Sequence, residues 1–253
     1  MYNKRGQVTL FIILAIILVG IVALFYFMFP RIKTTFETQI QNPETLLQNC
    51  LKDKIEDTVN TISLQGGSIN PELFYLYQGN KVRYLCYTEE YYAPCVMQQV
   101  FLEEQIETEI KNEIQAEANS CFDRLEESFK SSGYDVELTR GELKVDLLPK
   151  IVLVTFNNKL VLSRGGSSQV KEKFDIILDN NLYELAGISG SILEWETQYG
   201  DTETTLYMTY YRDLRVEKKK QDDGTTVYIL TNKKNQNKFQ FASRSVPWPP
   251  GYA

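Results

Sequence analysis

The sequence contains no histidine. That removes the commonest general base and the commonest zinc ligand, and with them every Ser-His-Asp or Cys-His arrangement. An enzyme built on this chain would have to use carboxylates, Lys, Tyr or a Ser-Lys pair. Cysteine is scarce, at four, and no two stand in a Cys-x-x-Cys spacing, which argues against a tetrahedral zinc site. A basic excess is also lacking: 27 Lys and Arg stand against 33 Asp and Glu, a net charge of −6. Beyond residue 29 the balance is 25 basic to 33 acidic, which repels nucleic-acid phosphate and sets nucleic acid aside as a partner. Gly165-Gly166 is followed by no Gly-Lys-Ser/Thr, so it is not a phosphate loop.

Charge is missing altogether from one long run, Val8 to Phe29, VTLFIILAIILVGIVALFYFMF. At about 1.5 Å per helical residue it is long enough to cross a hydrocarbon core of roughly 30 Å. It therefore reads as a single transmembrane helix and as the chain's contact with the lipid bilayer. Nothing in Phe25-Tyr26-Phe27-Met28-Phe29-Pro30 suits signal peptidase, so the run reads as a retained helix rather than a cleaved secretory signal. Lys4 and Arg5 precede it; Arg31 and Lys33 follow, then Glu37. The narrow basic bias places the N-terminus in the cytoplasm and the rest outside the cell membrane.

The residues Lys4-Arg5-Gly6-Gln7-Val8-Thr9 resemble the class III signal of archaeal type IV pilin-like proteins. In that family basic residues and a Gly precede a Gln and the apolar helix, and a dedicated peptidase cuts after the Gly. The resemblance implies processing between Gly6 and Gln7, with Lys4, Arg5, Gly6 and Gln7 as the recognition residues. The chain departs from the family at Phe11, where pilins carry a Glu that registers subunits in a filament, and at Pro30, which ends or kinks a helix. More loosely, the layout also resembles single-span surface proteins of small-genome archaea. The shared features are KRGQ plus a helix, a Cys-bearing helix ending in Leu64 to Gly67, and a Phe-x-Phe-Ala strand over Phe239 to Ala242. No activity is assigned to that group, so this likeness supports placement only.

The expected organisation is a leader (1–6), a transmembrane helix (7–29), a stalk (30–42) and an extracellular α+β domain (43–253), with a subdivision at 133/134 open. Asn42-Pro43-Glu44 is a helix start, and Leu47, Leu51, Ile55, Val59 and Ile62 form one helix face. Gly66-Gly67 stops that helix. Residues 73–87 read as a hairpin around Gly79-Asn80. Residues 98–131 carry a second stripe: Leu102, Ile106, Ile110, Ile114, Ala118, Cys121 or Phe122, Leu125 and Phe129. Glu109, Glu113 and Glu117 stack on that helix and read as a solvated face, since a straight helix cannot converge the oxygens of a calcium site. Period two then predicts strands at 134–138, 142–148, 151–156, 159–163 and 170–178, with 164–168 as a loop. Residues 181–195 read as a helix, with Leu182, Leu185, Ala186, Ile188, Ile192, Leu193 and Trp195 mainly on one side, while 203–211 fit a short helix or a strand. Strands at 214–218, 226–231 and 238–243 form a closing meander, and Pro247 to Tyr252 is an extended tail with Trp248 tucked against the domain.

Four cysteines allow three pairings. Cys86 and Cys95 bracket a short loop, while Cys50 and Cys121 lie on or beside helix core faces. The favoured pairing is Cys86–Cys95 with Cys50–Cys121, which requires an oxidising compartment. Glu194 and Glu196 flank Trp195, and Asp222-Asp223 are adjacent, but neighbours in sequence do not establish two carboxyls facing across a cleft. Lys218-Lys219-Lys220 reads as a solvated strand end. The fold class expected is α+β: one N-terminal transmembrane helix, then an ectodomain of helices packed on antiparallel strands. The function expected is a membrane-anchored cell-surface structural or interaction protein, with a pilin-like variant. It would bind a protein or envelope polymer, or its own copies, without a cofactor, metal ion or catalytic residue. The rival is an exported hydrolase using carboxylates. A deep cleft lined by two convergent acids would favour that rival; a closed core with shallow grooves would favour binding.

Overall fold

The computed structural model describes residues 15–21 and 42–245. The chain forms two compact units, Met1–Asn42 and Pro43–Ala253. In the first, residues 15–21 are helical (α1), with exposed side chains. This corrects the expected fold class. Among the described residues no helix is long and apolar enough to cross a membrane. The described part of the run from Val8 to Phe29 covers only about 10 Å at 1.5 Å per residue, a third of a hydrocarbon core. The remainder of that run, the expected leader residues Lys4, Arg5, Gly6 and Gln7, the expected stalk before Asn42 and the expected tail with Trp248 lie outside the described residues.

The second unit mixes helices and sheets. Helix α2 (Pro43–Leu64) buries Leu47, Leu51, Ile55, Val59 and Ile62. It ends where the amides of Gln65 and Gly67 both donate to the Ile62 carbonyl. Gly66 there has φ +70°, and a Cβ on it would stand 2.8 Å from the Arg83 Cβ, so the stop needs glycine for both reasons. Helix α3 (Leu102–Ser131) buries its stripe against α2. It starts later than residue 98 because the Gln98 amide donates to the Leu85 carbonyl, tying that stretch to a strand.

The strands are β1 (Phe74–Tyr77), β2 (Asn80–Tyr87), β3 (Val96–Met97), β4 (Asp135–Thr139), β5 (Leu143–Leu148), β6 (Ile151–Phe156), β7 (Lys159–Arg164), β8 (Ser167–Lys171), β9 (Phe174–Asp179), β10 (Leu214–Lys220), β11 (Thr225–Asn232) and β12 (Lys238–Arg244). Between β9 and β10 lie α4 (Leu182–Tyr199) and α5 (Thr205–Tyr210). One sheet runs β1-β2-β12-β11-β10, with β3 on β2; two three-stranded sheets run β4-β7-β8 and β5-β6-β9. The pairing of β12 with β2 is parallel, so the largest sheet is mixed rather than purely antiparallel. It sets β12 beside β2, a strand far from it in sequence. The larger core cluster spans Leu47 to Phe241 and includes the buried faces of α2, α3 and α4, and a second, smaller one holds Val82, Tyr84, Val227 and Ala242.

The stretch expected as one strand over 170–178 is two strands in different sheets. Gly165 and Gly166, both at positive φ, turn the chain back so that β8 pairs with β7, while β9 pairs with β6. The β4–β5 connection is clamped onto the β6–β7 turn. A Cβ on Gly141 would stand 1.9 Å from the Asn157 carbonyl oxygen, and the Gly141 amide donates to Asn158 Oδ1 at 2.8 Å.

Candidate functional site

Helix α4 buries Leu182, Leu185, Ala186, Ser189, Ile192, Leu193 and Glu196. Residues 191, 195 and 199 fall on the opposite side, four apart, so Ser191, Trp195 and Tyr199 make an exposed row; this corrects the expected place of Trp195 on the apolar side, because the helix buries Ile192, Leu193 and Glu196 instead. The Trp195 and Tyr199 rings lie 5.0 Å apart at a tilt of 33°. Gly200, at φ +74°, ends the helix, and its amide donates to the Glu196 carbonyl. The chain then folds back, with Thr202 Oγ1 donating to the Ile192 carbonyl at 2.9 Å. That return sets α5 beside α4. Ser191 Oγ and Tyr207 Oη meet at 2.9 Å and tie the two helices together. Between the helices is a cavity of about 540 Å³ whose aromatic walls are Trp195, Tyr207, Tyr210 and Tyr211, with Leu206 beside them. Trp195 is 47% and Tyr210 82% exposed, so these rings face solvent rather than the core. Glu203 is the one charged side chain on the lining. Its Oε1 accepts the Thr205 amide at 2.8 Å. Hydrogen bonds from Thr205 hold this carboxyl below the usual Glu range.

On the inner face of α4 is a buried polar network. Glu196 is 2% exposed. Its Oε1 accepts the Tyr228 hydroxyl, and its Oε2 accepts Ser243 Oγ at 3.0 Å. Ser243 Oγ also lies 3.5 Å from Cys95 Sγ. Burial pushes the Glu196 carboxyl up, against the hydrogen bonds from Tyr228 and Ser243 and the charges of Lys218 and Lys220. Burial also pushes the Tyr228 hydroxyl well up, helped by the neighbouring Glu196 charge. Lys218 reaches inward, pairs with Asp201, donates to the Thr202 carbonyl at 3.2 Å and stands 5.8 Å from the centre of the Tyr228 ring. Burial pushes its ammonium down, opposed by Glu196. The network joins α4 to β10, β11 and β12; Glu196, Tyr228, Ser243 and Lys218 do not line the cavity, and the network meets its wall at Thr202.

The structure bonds Cys50 to Cys121, with α-carbons 6.0 Å apart, and Cys86 to Cys95, with α-carbons 5.4 Å apart. The first bridge staples α2 to α3, and the second ties β2 to the turn before β3. Among the described residues, the grouping of metal-ligand types is Cys50, Glu117 and Cys121. Both sulfurs there are in the bridge, and Glu117 is paired with Arg124 at 2.5 Å. The other stacked glutamates have separate partners: Glu113 takes Lys54 at 2.5 Å, and Glu109 accepts from Ser68, the Ile69 amide and Gln105.

The carboxylates singled out in the sequence do not share a space. Glu194 is exposed while Glu196 is buried under the same helix, and Asp223 caps the β10–β11 turn by accepting the Thr225 amide at 2.9 Å. The lysine run is not a uniformly solvated strand end. Alternation along β10 turns Lys218 inward beneath α5, and it is the middle residue, Lys219, that pairs with Glu217. Tyr228, Ser243, Thr202 and the α5 aromatics gave no recognisable motif. The readable signal for α5 was weak: Leu206 and Tyr210 recur four apart, as do Tyr207 and Tyr211, a helical spacing that marks no buried face. Against known protein families, curated proteins and solved structures, the chain shows no match.

Proposed function

We propose that this chain is an exported interaction protein that holds a partner in the groove between α4 and α5. The observation that carries the reading is the cavity walled by Trp195, Tyr207, Tyr210 and Tyr211, with Glu203 as its one charged residue. Trp and Tyr supply large contact area with few rotors, which is why they dominate binding hot spots. Exposing several of them together is unfavourable in a unit that otherwise closes a large core, and it marks a contact surface. A carboxylate hydrolase needs two acids across one cleft, and the cavity offers one. Export fits the two bridges, which persist in an oxidising compartment.

The test is cross-linking of the full chain in its own cell envelope. Wild type is compared with Trp195→Ala plus Tyr210→Ala, and with Leu76→Ala, which alters an exposed apolar residue (65%) on β1, the edge strand of the large sheet. The expected result is a cross-linked species present in wild type and Leu76→Ala and lost from the groove variant. Loss from Leu76→Ala alone would move the binding face to the β1 edge and overturn the reading.

A further inference from the structure

We infer that the groove between α4 and α5 takes an arginine side chain presented by a basic segment of a partner protein. The inference rests on the binding role proposed above and specifies its chemistry. Four aromatic side chains, Trp195 of α4 on one side and Tyr207 and Tyr210 of α5 with the adjoining Tyr211 on the other, wall one cavity. The faces of such rings are the negative ends of their quadrupoles and attract a cation placed over them. The charge on the lining has the matching sign. Glu203 carries it, and the Thr205 amide and hydroxyl stabilise its ionised form.

No Lys or Arg lines the cavity among the described residues. Lys218, which reaches the Thr202 carbonyl, is paired with Asp201, so it is neither the occupant nor a repelling charge on the wall. Arginine fits better than lysine for two reasons. Its planar guanidinium stacks flat on Trp and Tyr rings, and its fork of N–H donors matches a carboxylate such as that of Glu203. A neutral sugar or a proline-rich segment would use the rings and leave the Glu203 charge unanswered. At longer range, residues 43–245 carry 23 basic against 32 acidic side chains, a net −9, which steers a basic partner toward the unit and disfavours an acidic one.

The experiment uses the full chain with Trp248→Phe, which leaves Trp195 as the one tryptophan of a sequence that has two. The probes are two blocked pentapeptides, Gly-Gly-Arg-Gly-Gly and the same peptide with citrulline, which keeps the planar shape and loses the charge. The readout is saturable change in Trp195 fluorescence. The arginine peptide should bind at least about fivefold more tightly than the citrulline peptide, and Glu203→Gln should erase most of that difference. Added salt should weaken the arginine peptide and leave the citrulline peptide unchanged. Equal binding of the two peptides, or an unchanged preference in Glu203→Gln, overturns the arginine assignment. In that case cross-links that still depend on Trp195 and Tyr210 would keep the groove as a binding face for a neutral partner. Loss of both results would remove the groove reading itself.

Discussion

Glu196 shows how one residue couples burial to pH. Both of its carboxylate oxygens are engaged inside the unit, one by Tyr228 and one by Ser243. Burial is the largest influence on its titration and raises the folded-state pKa above that of the unfolded chain, which for Glu is about 4.3. The native state therefore holds this proton to higher pH than the unfolded state does. Its contribution to stability is full below the unfolded pKa and is lost as pH rises from there through the raised native value. Glu196→Gln keeps an acceptor for the Tyr228 hydroxyl and cannot ionise. Urea denaturation at a series of pH values from 4 to 8 should show the Gln variant gaining on wild type as pH rises, and a constant difference would refute the assignment. Glu196→Ala is a different change. It strands two buried hydroxyls and should cost about 2–4 kcal/mol at neutral pH. Only part of this was legible in the sequence. Glu196 stood out as a carboxylate beside Trp195, but its burial follows from the helical phase of α4, and its partners come from strands 32 and 47 residues away.

Among the elements, the best-read pair is α2 and α3. Leu47, Leu51, Ile55, Val59 and Ile62 on one, and Leu102, Ile106, Ile110 and Ile114 on the other, repeat at helical spacing and are all buried. Two such stripes bury each other most simply by packing face to face, and the Cys50–Cys121 bridge lies at that contact. Elements whose faces are decided by distant partners were harder to read. Val170, Phe174, Ile176 and Leu178 keep one alternation through a break that sends β8 and β9 into separate sheets, so period two alone reads them as one strand. Helix α5 has no buried residue, so it carried no amphipathic signal. The bridges allow a graded prediction. Cys50 and Cys121 are 71 residues apart, and removing both should lower stability by about 4 kcal/mol in the chain-entropy model. Cys86 and Cys95 are 9 apart, and their joint removal should cost about 2.5 kcal/mol in the same model. Denaturant titration of the two double-alanine variants gives the order. The reverse order would mean that packing around the short bridge, where Cys95 meets Ser243, outweighs loop entropy.

On the scale of the whole molecule, the question is which compartment suits this unit. The larger core cluster runs from Leu47 to Phe241, and the large sheet is closed by a parallel pairing of β2 with β12, strands far apart in sequence. Such long-range closure is slow to form, because loop entropy is lost before the contacts reward it. A covalent link between α2 and α3 reduces the disorder of the unfolded chain during that search. All four cysteines are bridged, so a reducing cytosol would withdraw both links together. The surface adds a second reason. A net −9 over residues 43–245 disfavours an acidic partner, while the aromatic residues of the groove between α4 and α5 face solvent. The proposed export of the unit is consistent with these features and can be tested directly. A membrane-impermeant amine reagent added to intact cells should label surface lysines such as Lys144 and Lys234, whose side chains are 63% and 73% exposed. Lysis beforehand should add little to their labelling, and non-reducing peptide maps of the labelled protein should join Cys50 to Cys121 and Cys86 to Cys95. Lysines that react only after lysis, on a chain whose cysteines accept a thiol reagent, would place the unit on the reducing side and remove the basis for an external partner.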